Sequence, residues 1–313
     1  MEKDNLFDVI IVGGSYAGLS AAMALGRSLR NVLIIDSGKP CNRQTPHSHN
    51  FLTRDGETPV QIAAIAQEQV LRYPTVSFLT DFATKVHSEP FGFAVETASC
   101  QQFNSRKLLL ATGVEDLMPP ISGFAECWGQ SVLHCPYCHG YEVHGQRLGI
   151  LANGEVAYEM VRLIQHWSTN LTLFTNGFAT LTPDQRQLID QLSVPIIETE
   201  LTAIEHEQGQ LKTLRFTDSS AHELDALYSR VAFRQHSDLA MQLGCDMAET
   251  GLITATEFGQ TNVPGVYAAG DNSLLFRQVS IAVANGGKAG ARLNGELVTD
   301  DLAVRFLPAS LLT

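Results

Sequence analysis

The segment FDVIIVGGSYAGLSAAMALGRSLRNVLIIDSG, residues 7–38, constrains the fold more than any other stretch of the chain. Val9 to Val12 is a short apolar run suited to a strand buried on both faces. A glycine-rich turn follows, then helix formers with apolar residues at helical spacing from Ala17 to Leu29. A second strand is expected from Asn31 to Ile35, closed by Asp36. Strand, glycine turn, helix, strand and acid in this order form the dinucleotide-binding fingerprint. Gly13 permits the tight turn, Gly18 lets the helix approach the strand, and the helix N-terminus offers N–H groups to a pyrophosphate. Asp36 is placed to accept hydrogen bonds from a ribose. Ser15 stands where the pattern has its middle glycine, with Gly14 beside it, and serine is small enough to leave the backbone open.

The same unit occurs twice. RLGILANGEVAYEMVRLIQHWSTNLTLFTNG, from Arg147, matches the first copy at an offset of 139 residues. Gly13 falls on Ala152, Ser15 on Gly154, Gly18 on Ala157 and Asp36 on Thr175, so the second copy keeps the strand–turn–helix pattern and loses the cofactor chemistry. The expected fold class is therefore α/β, with two Rossmann-like, three-layer ββα nucleotide-binding domains, the second inserted in the first. Residues 1–117 and 246–313 are expected to form the first and residues 118–245 the second, joined by two short connections suited to act as hinges.

Hydrophobic residues make up 44% of the 313-residue chain and charged residues 17%, which describes a folded globular protein. The net charge of −12 disfavours nucleic acid and anionic membrane surfaces. No apolar run approaches the roughly 18 residues of a membrane span, and MEKDNLFDVIIVGG lacks the features of a signal peptide. A cytoplasmic location is expected. Six cysteines occur, and only Cys135 and Cys138, in HCPYCHGYE, are closely spaced. A structural zinc site normally takes four ligands, often as two such pairs, and a second pair is missing, although Cys127, His134 and His139 are near. A redox dithiol is the better reading, with no metal expected. Cys41, Cys100, Cys127 and Cys245 are expected to be ordinary core or loop cysteines, Cys41 with a chance to lie near the cofactor.

GGSYAG, ATG (111–113), CPYC, GVYAAGD and RQV (277–279) come in one order and spacing, in which the chain resembles the two-domain flavoprotein disulfide reductases, most closely the low-molecular-weight thioredoxin reductases. The resemblance implies FAD at the first site. It would be held by Gly13, Gly14, Ser15, Ala17, Gly18 and Asp36, with Ala111, Thr112, Gly113, Gly270, Asp271, Arg277, Gln278, Val279 and Asn50 completing the pocket. It implies that Cys138 faces the flavin and Cys135 exchanges with substrate, and it implies a homodimer.

In thioredoxin reductases the second copy binds NADPH through a basic cluster after its second strand. Here that segment, FTNGFATLTP, has no basic residue, and Phe233 and Arg234 stand further on where small residues would admit the cofactor. NADPH is therefore not expected as reductant. Arg230 or Arg234 reaching a phosphate, or a second flavin in the degenerate site, remain alternatives. Where thioredoxin reductases usually carry aspartate, this chain has His139, a proton carrier at neutral pH. The CxxC-His arrangement also resembles dithiol oxidases that pass electrons to oxygen. His134, His144, Trp128, Tyr137 and Tyr141 are secondary candidates, with packing the expected job of the aromatics.

The expected function is an FAD-dependent thiol–disulfide oxidoreductase acting on a thioredoxin-like protein or a small dithiol or disulfide. A ferredoxin or flavodoxin donor would need a local basic patch, for which Arg27, Arg30, Arg43 and Arg54 are candidates. A dithiol oxidase and a non-catalytic flavin redox sensor are the alternatives.

Overall fold

The computed structural model describes residues 6–306. The chain forms two compact units, Met1–Cys41 with Val60–Glu115 and Arg234–Thr313, and Asn42–Pro59 with Asp116–Phe233. In order, the elements are β1 (Leu6–Val12), α1 (Tyr16–Arg27), β2 (Val32–Asp36), α2 (Pro59–Leu71), β3 (Val76–Thr80), β4 (Ala83–Glu89), β5 (Gly92–Thr97), β6 (Gln102–Leu110) and β7 (Val114–Leu117). Then come α3 (Phe124–Cys127), β8 (Val132–Leu133), α4 (Pro136–His139), β9 (Leu148–Leu151), α5 (Gly154–Ile164), β10 (Leu171–Phe174), α6 (Pro183–Gln191) and β11 (Ile196–Ile197). The chain ends with β12 (Leu201–Glu207), β13 (Gln210–Phe216), β14 (Ala221–Glu223), β15 (Ala226–Ser229), β16 (Ala232–Gln235), α7 (Leu239–Gln242), β17 (Val266–Ala268) and α8 (Val279–Arg305).

The first unit is built on a seven-stranded sheet in the order β3-β2-β1-β6-β5-β4, with β17 also pairing to β6. β2, β1, β6 and β17 run parallel, in the registers Val12↔Ile35, Val12↔Leu110 and Ala268↔Leu110. Their C-terminal ends therefore come out at one edge, where ligands of open α/β sheets bind. Val9 and Ile11 face one side of this sheet with α1 and α8, and Ile10 and Val12 face the other, so both surfaces of β1 are core. α1 stops at Arg27, two residues short of the expected Leu29, because Leu29 turns left-handed at φ +62° and Arg30 N–H closes back on the Leu25 carbonyl. α8 runs from Val279 to Arg305, with Gln278 as its N-cap.

α1 and α8 touch through small residues. A Cβ on Gly286 would lie 2.0 Å from the Ala17 carbonyl oxygen, and one on Gly290 2.7 Å from that of Ala21. No side-chain rotation relieves a clash with backbone. Gly286→Ala should thus cost about 3 kcal/mol of overpacking strain, read as a fall of roughly 5–10 °C in the thermal unfolding midpoint. An unchanged midpoint would mean that the helices cross elsewhere.

The second unit has a parallel five-stranded sheet, β11-β10-β9-β15-β8. β9, α5 and β10 are the second copy of the repeat. α5 and α6 cover one face over Leu133, Ile150, Leu173 and Tyr228. The antiparallel β12-β13-β14 sheet covers the other over Phe174 and Leu227, joined by Phe124 and Trp128. Two Rossmann-like three-layer units, the second inserted in the first, are thus present. Among the described residues no helix is long and apolar enough to cross a membrane.

Candidate redox site and nucleotide cradle

At the C-terminal edge of the first sheet, Gly13 has φ +107°, and a Cβ there would sit 2.1 Å from the Ala111 carbonyl oxygen. A Cβ on Gly18 would lie 1.8 Å from the Gly13 carbonyl, so the turn after β1 closes only with glycine at both positions. Asp36 holds this turn, its carboxylate accepting from the Gly14 N–H at 2.7 Å and the Gly38 N–H at 2.9 Å. Ser15 is the N-cap of α1 and spends no side-chain bond on it, and the first turn carries no acid. Ala17 is buried beneath α8.

Beside this turn, Ala111 N–H bonds the Val12 carbonyl and Gly113 turns left-handed at φ +65°. Gly270 at φ +90° is held by its N–H on Asn285 Oδ1 at 2.8 Å. Asn272, fully buried, donates to the Leu110 carbonyl at 2.8 Å and lies 3.4 Å from Thr112 Oγ1, while its own Oδ1 has no partner. Arg277 lies 3.4 Å from Asp271 and donates to Cys41 Sγ at 2.8 Å. Gln278 and Val279 open α8, whose first turn also lacks an acid. Asn272, Asn285 and the Arg277–Cys41 contact are the residues that sequence reasoning did not assign to the site. The only signal for the first two was an asparagine in each of two glycine-rich motifs. The cradle has open backbone, two uncharged helix N-termini and an orphaned buried carbonyl, and these fit a dinucleotide with a flavin.

The sulfur pair belongs to the second unit. β8 leads through His134 into Cys135, which precedes α4 with Pro136 as its first residue. The Cys138 and His139 N–H groups both bond the Cys135 carbonyl at 3.2 Å, so the turn places the two side chains together. Cys138 donates its S–H to Cys135 Sγ at 3.0 Å, and none of the six cysteines is in a disulfide. Gly140 ends the turn because a Cβ there would strike the Pro136 carbonyl at 2.4 Å and Trp167 Nε1 at 2.5 Å. The proton shared with Cys135, then burial, hold the Cys138 pKa far above that of an ordinary thiol. Burial lowers the His139 pKa, Glu142 opposes that shift and His49 adds to it. His49 Nε2 lies 3.4 Å from Glu142, and its Nδ1 lies 3.7 Å from Asp55. Sequence reasoning missed His49 and Glu142.

The remaining candidates divide. Trp128 stacks on Phe124 in the core, Tyr137 sets its edge on Trp167, and Tyr141 is exposed and stacks on His144. Asn50 is in the second unit with φ +61°, its N–H on Asp55 Oδ1 at 2.7 Å. Burial raises the pKa of Cys127 and Cys245, as for inert core thiols. Among the described residues no group of three or more His, Cys, Asp or Glu side chains is arranged to hold a metal ion.

The sequence profile of the pyridine nucleotide-disulphide oxidoreductases matches residues 7–286. The chain belongs to this family. Thioredoxin reductase tcpT of Claviceps purpurea is 33% identical, over 96% of this chain and 97% of its own. Thioredoxin reductase sirT of Leptosphaeria maculans is 30% identical, over 96% and 97%. The crystal structure of an oxidoreductase from Agrobacterium tumefaciens is 36% identical, with a TM-score of 0.87 over 94% of this chain and 99% of that one. The protein is thus a thioredoxin reductase-like disulfide oxidoreductase, of a family that normally binds FAD.

In this oxidoreductase the turn of the second nucleotide fold is bonded to the loop that follows β10. At the end of β9, where a pyrophosphate would approach α5, Asn153 Oδ1 accepts from Gly154 N–H at 2.8 Å, Thr180 N–H at 2.8 Å and Thr180 Oγ1 at 3.1 Å. Its Nδ2 donates to the Phe178 carbonyl at 2.8 Å and the Thr175 carbonyl at 3.3 Å. The loop after β10 is pinned over the helix end, and Glu155 puts an acid in the first turn. Arg234 is paired with Glu115 at 2.8 Å.

Proposed function

We propose that the protein is an FAD-dependent thiol–disulfide oxidoreductase that works through Cys135 and Cys138, exchanges with a protein or small-molecule disulfide or dithiol, and does not draw on NADPH. The observation that carries this reading is the sulfur pair itself, 3.0 Å apart with Cys138 donating to Cys135 and His139 next in the chain. FAD, when bound in the cradle of the first unit, supplies the two-electron partner of the pair. Residues 1–41, 60–115 and 234–313 would hold it, through the glycine turn with Asp36, the 111–113 strand end, Gly270 and Asp271, and the start of α8.

For a disulfide substrate, the Cys135 thiolate attacks one sulfur, a mixed disulfide forms and one substrate thiolate leaves. Cys138 then attacks Cys135, the Cys135–Cys138 bond closes and the second substrate thiolate leaves. For a dithiol the same steps run backwards through the same mixed disulfide. His139 carries the proton in both directions. The blocked turn at Asn153 and the acid at Glu155 support independence from NADPH. With that donor set aside, the dithiol direction is favoured, in which a small dithiol becomes a disulfide and dioxygen takes two electrons and two protons as hydrogen peroxide. Arg30 and Arg54 are already paired with Asp301 and Glu57, which speaks against an acidic ferredoxin docking through them.

Oxidation of dithiothreitol with one peroxide formed per dithiol is the direct test, and no turnover with any dithiol or disulfide would favour a redox sensor instead. The acid limb of the rate tests His139. Its pKa is held below the usual 6.5 mainly by burial, so the ring is neutral at pH 7 and protonates only as the pH falls below that value. kcat/KM for a dithiol should therefore rise with pH through an apparent pKa below 6.5 and level off above it. His139→Gln should remove that limb and slow turnover by about 10²–10⁴-fold. A limb that survives the substitution would assign it to another group.

A further inference from the structure

Tyr228 has no part in the scheme above, yet its surroundings are unusual. It lies on β15, between Leu133 of the edge strand β8 and Ile150 of the central strand β9. Leu133 is two residues before Cys135, so the strand beside Tyr228 is the one that leads into the turn carrying the sulfur pair. Tyr228 is fully buried, and its hydroxyl has no hydrogen-bond partner. A buried hydroxyl without a partner is costly, and phenylalanine would fill the same space without that penalty. Burial, and after it negative charge on Cys135, Glu142 and Cys138, raise the Tyr228 pKa well above that of an ordinary tyrosine. The hydroxyl thus keeps its proton in the field of Cys135, Glu142 and Cys138, with His139 and His49 as the further titratable neighbours of Glu142.

Cys138 has its partner, Cys135, only while Cys135 is a free sulfur. In the mixed disulfide the Cys135 sulfur is bonded to substrate, and Cys138 must stand alone as a buried thiolate, either about to attack or just expelled. We infer that Tyr228 is a positioning residue whose hydroxyl is held in reserve to donate to the Cys138 thiolate in the mixed-disulfide state. The inference rests on the proposed redox role of the pair and adds to it the group that stabilises its least stable form. The step balances: the Cys138 thiolate attacks the Cys135 sulfur, the Cys135–substrate bond breaks, the substrate leaves as thiolate and the Cys135–Cys138 bond forms.

The test isolates Cys138 in the full-length Cys135→Ser protein and compares it with Cys135→Ser/Tyr228→Phe. Alkylation of Cys138 by iodoacetamide is followed across pH by peptide mass spectrometry. The hydroxyl should lower the pH at which Cys138 ionises, so the double variant should react about tenfold more slowly at pH 7, with its profile displaced by about one unit to higher pH. In the single variant Tyr228→Phe, a mixed disulfide should accumulate during turnover. A merely structural tyrosine would change the melting temperature and leave the alkylation profile in place. Superposable profiles would overturn the inference, even with wild-type turnover intact. Loss of turnover in the wild type would instead strike the functional reading, and the alkylation comparison would still decide the role of Tyr228.

Discussion

Serine in place of Cys135 should lower turnover of any dithiol or disulfide by at least about a thousandfold, or roughly 4 kcal/mol of barrier. Only a thiolate attacks and only a disulfide sulfur is attacked in exchange, so a serine oxygen at 135 can do neither, and Cys138 loses the sulfur to which it donates. The substitution exchanges one small, partly buried atom, and the turn is held by backbone bonds to the Cys135 carbonyl, so fold and cofactor content should survive. Cys138→Ser should behave differently. Cys135 can still attack but nothing resolves the product, so a mixed disulfide should persist and appear in the intact mass as one substrate added per chain. Equal turnover in wild type and Cys135→Ser would remove the pair from the mechanism.

Millimolar NADPH should bind too weakly to measure by calorimetry or equilibrium dialysis. A Kd of 1 mM corresponds to about 4 kcal/mol of binding free energy, and the site offers little toward it. A pyrophosphate at α5 would have to displace Thr180 from Asn153 and sit next to Glu155. Each internal hydrogen bond lost costs about 1 kcal/mol net, and residues 174–183 bring no cation to the 2′-phosphate. Asn153→Gly removes all five bonds of the amide, so it should loosen the 175–180 loop without supplying the missing charge. Micromolar NADPH binding by the wild type would show that the loop opens.

What the sequence reveals and conceals follows from the range of the interactions. β1, α1 and β2 are legible because a buried parallel strand is an apolar run and the glycine turn leaves a local signature. The second copy is legible through the 139-residue repeat, although no glycine of the first turn keeps its place in it. Asn153-Gly154 reads as an ordinary turn, and its role as a plug depends on Thr180, 27 residues away along the chain. Likewise, His49 and Glu142 come together from segments 93 positions apart, and neither residue is unusual in its own segment. Tyr228 looks like any aromatic residue of a buried strand, and only the register against Leu133 sets it beside the strand that leads to the sulfurs. The end of α1 is not legible because Leu29 is a good helix former, whereas the chain spends it in a left-handed turn that caps the helix.

The central claim is that flavin bound to the first unit trades electrons with Cys135 and Cys138. Anaerobic addition of dithiothreitol to purified protein, with the visible flavin band followed in time, tests it most directly. Wild-type protein should be yellow and should bleach, and Cys138→Ser should stay yellow under the same conditions. Colourless protein that takes up no FAD, or bleaching at the same rate in both proteins, would contradict the claim.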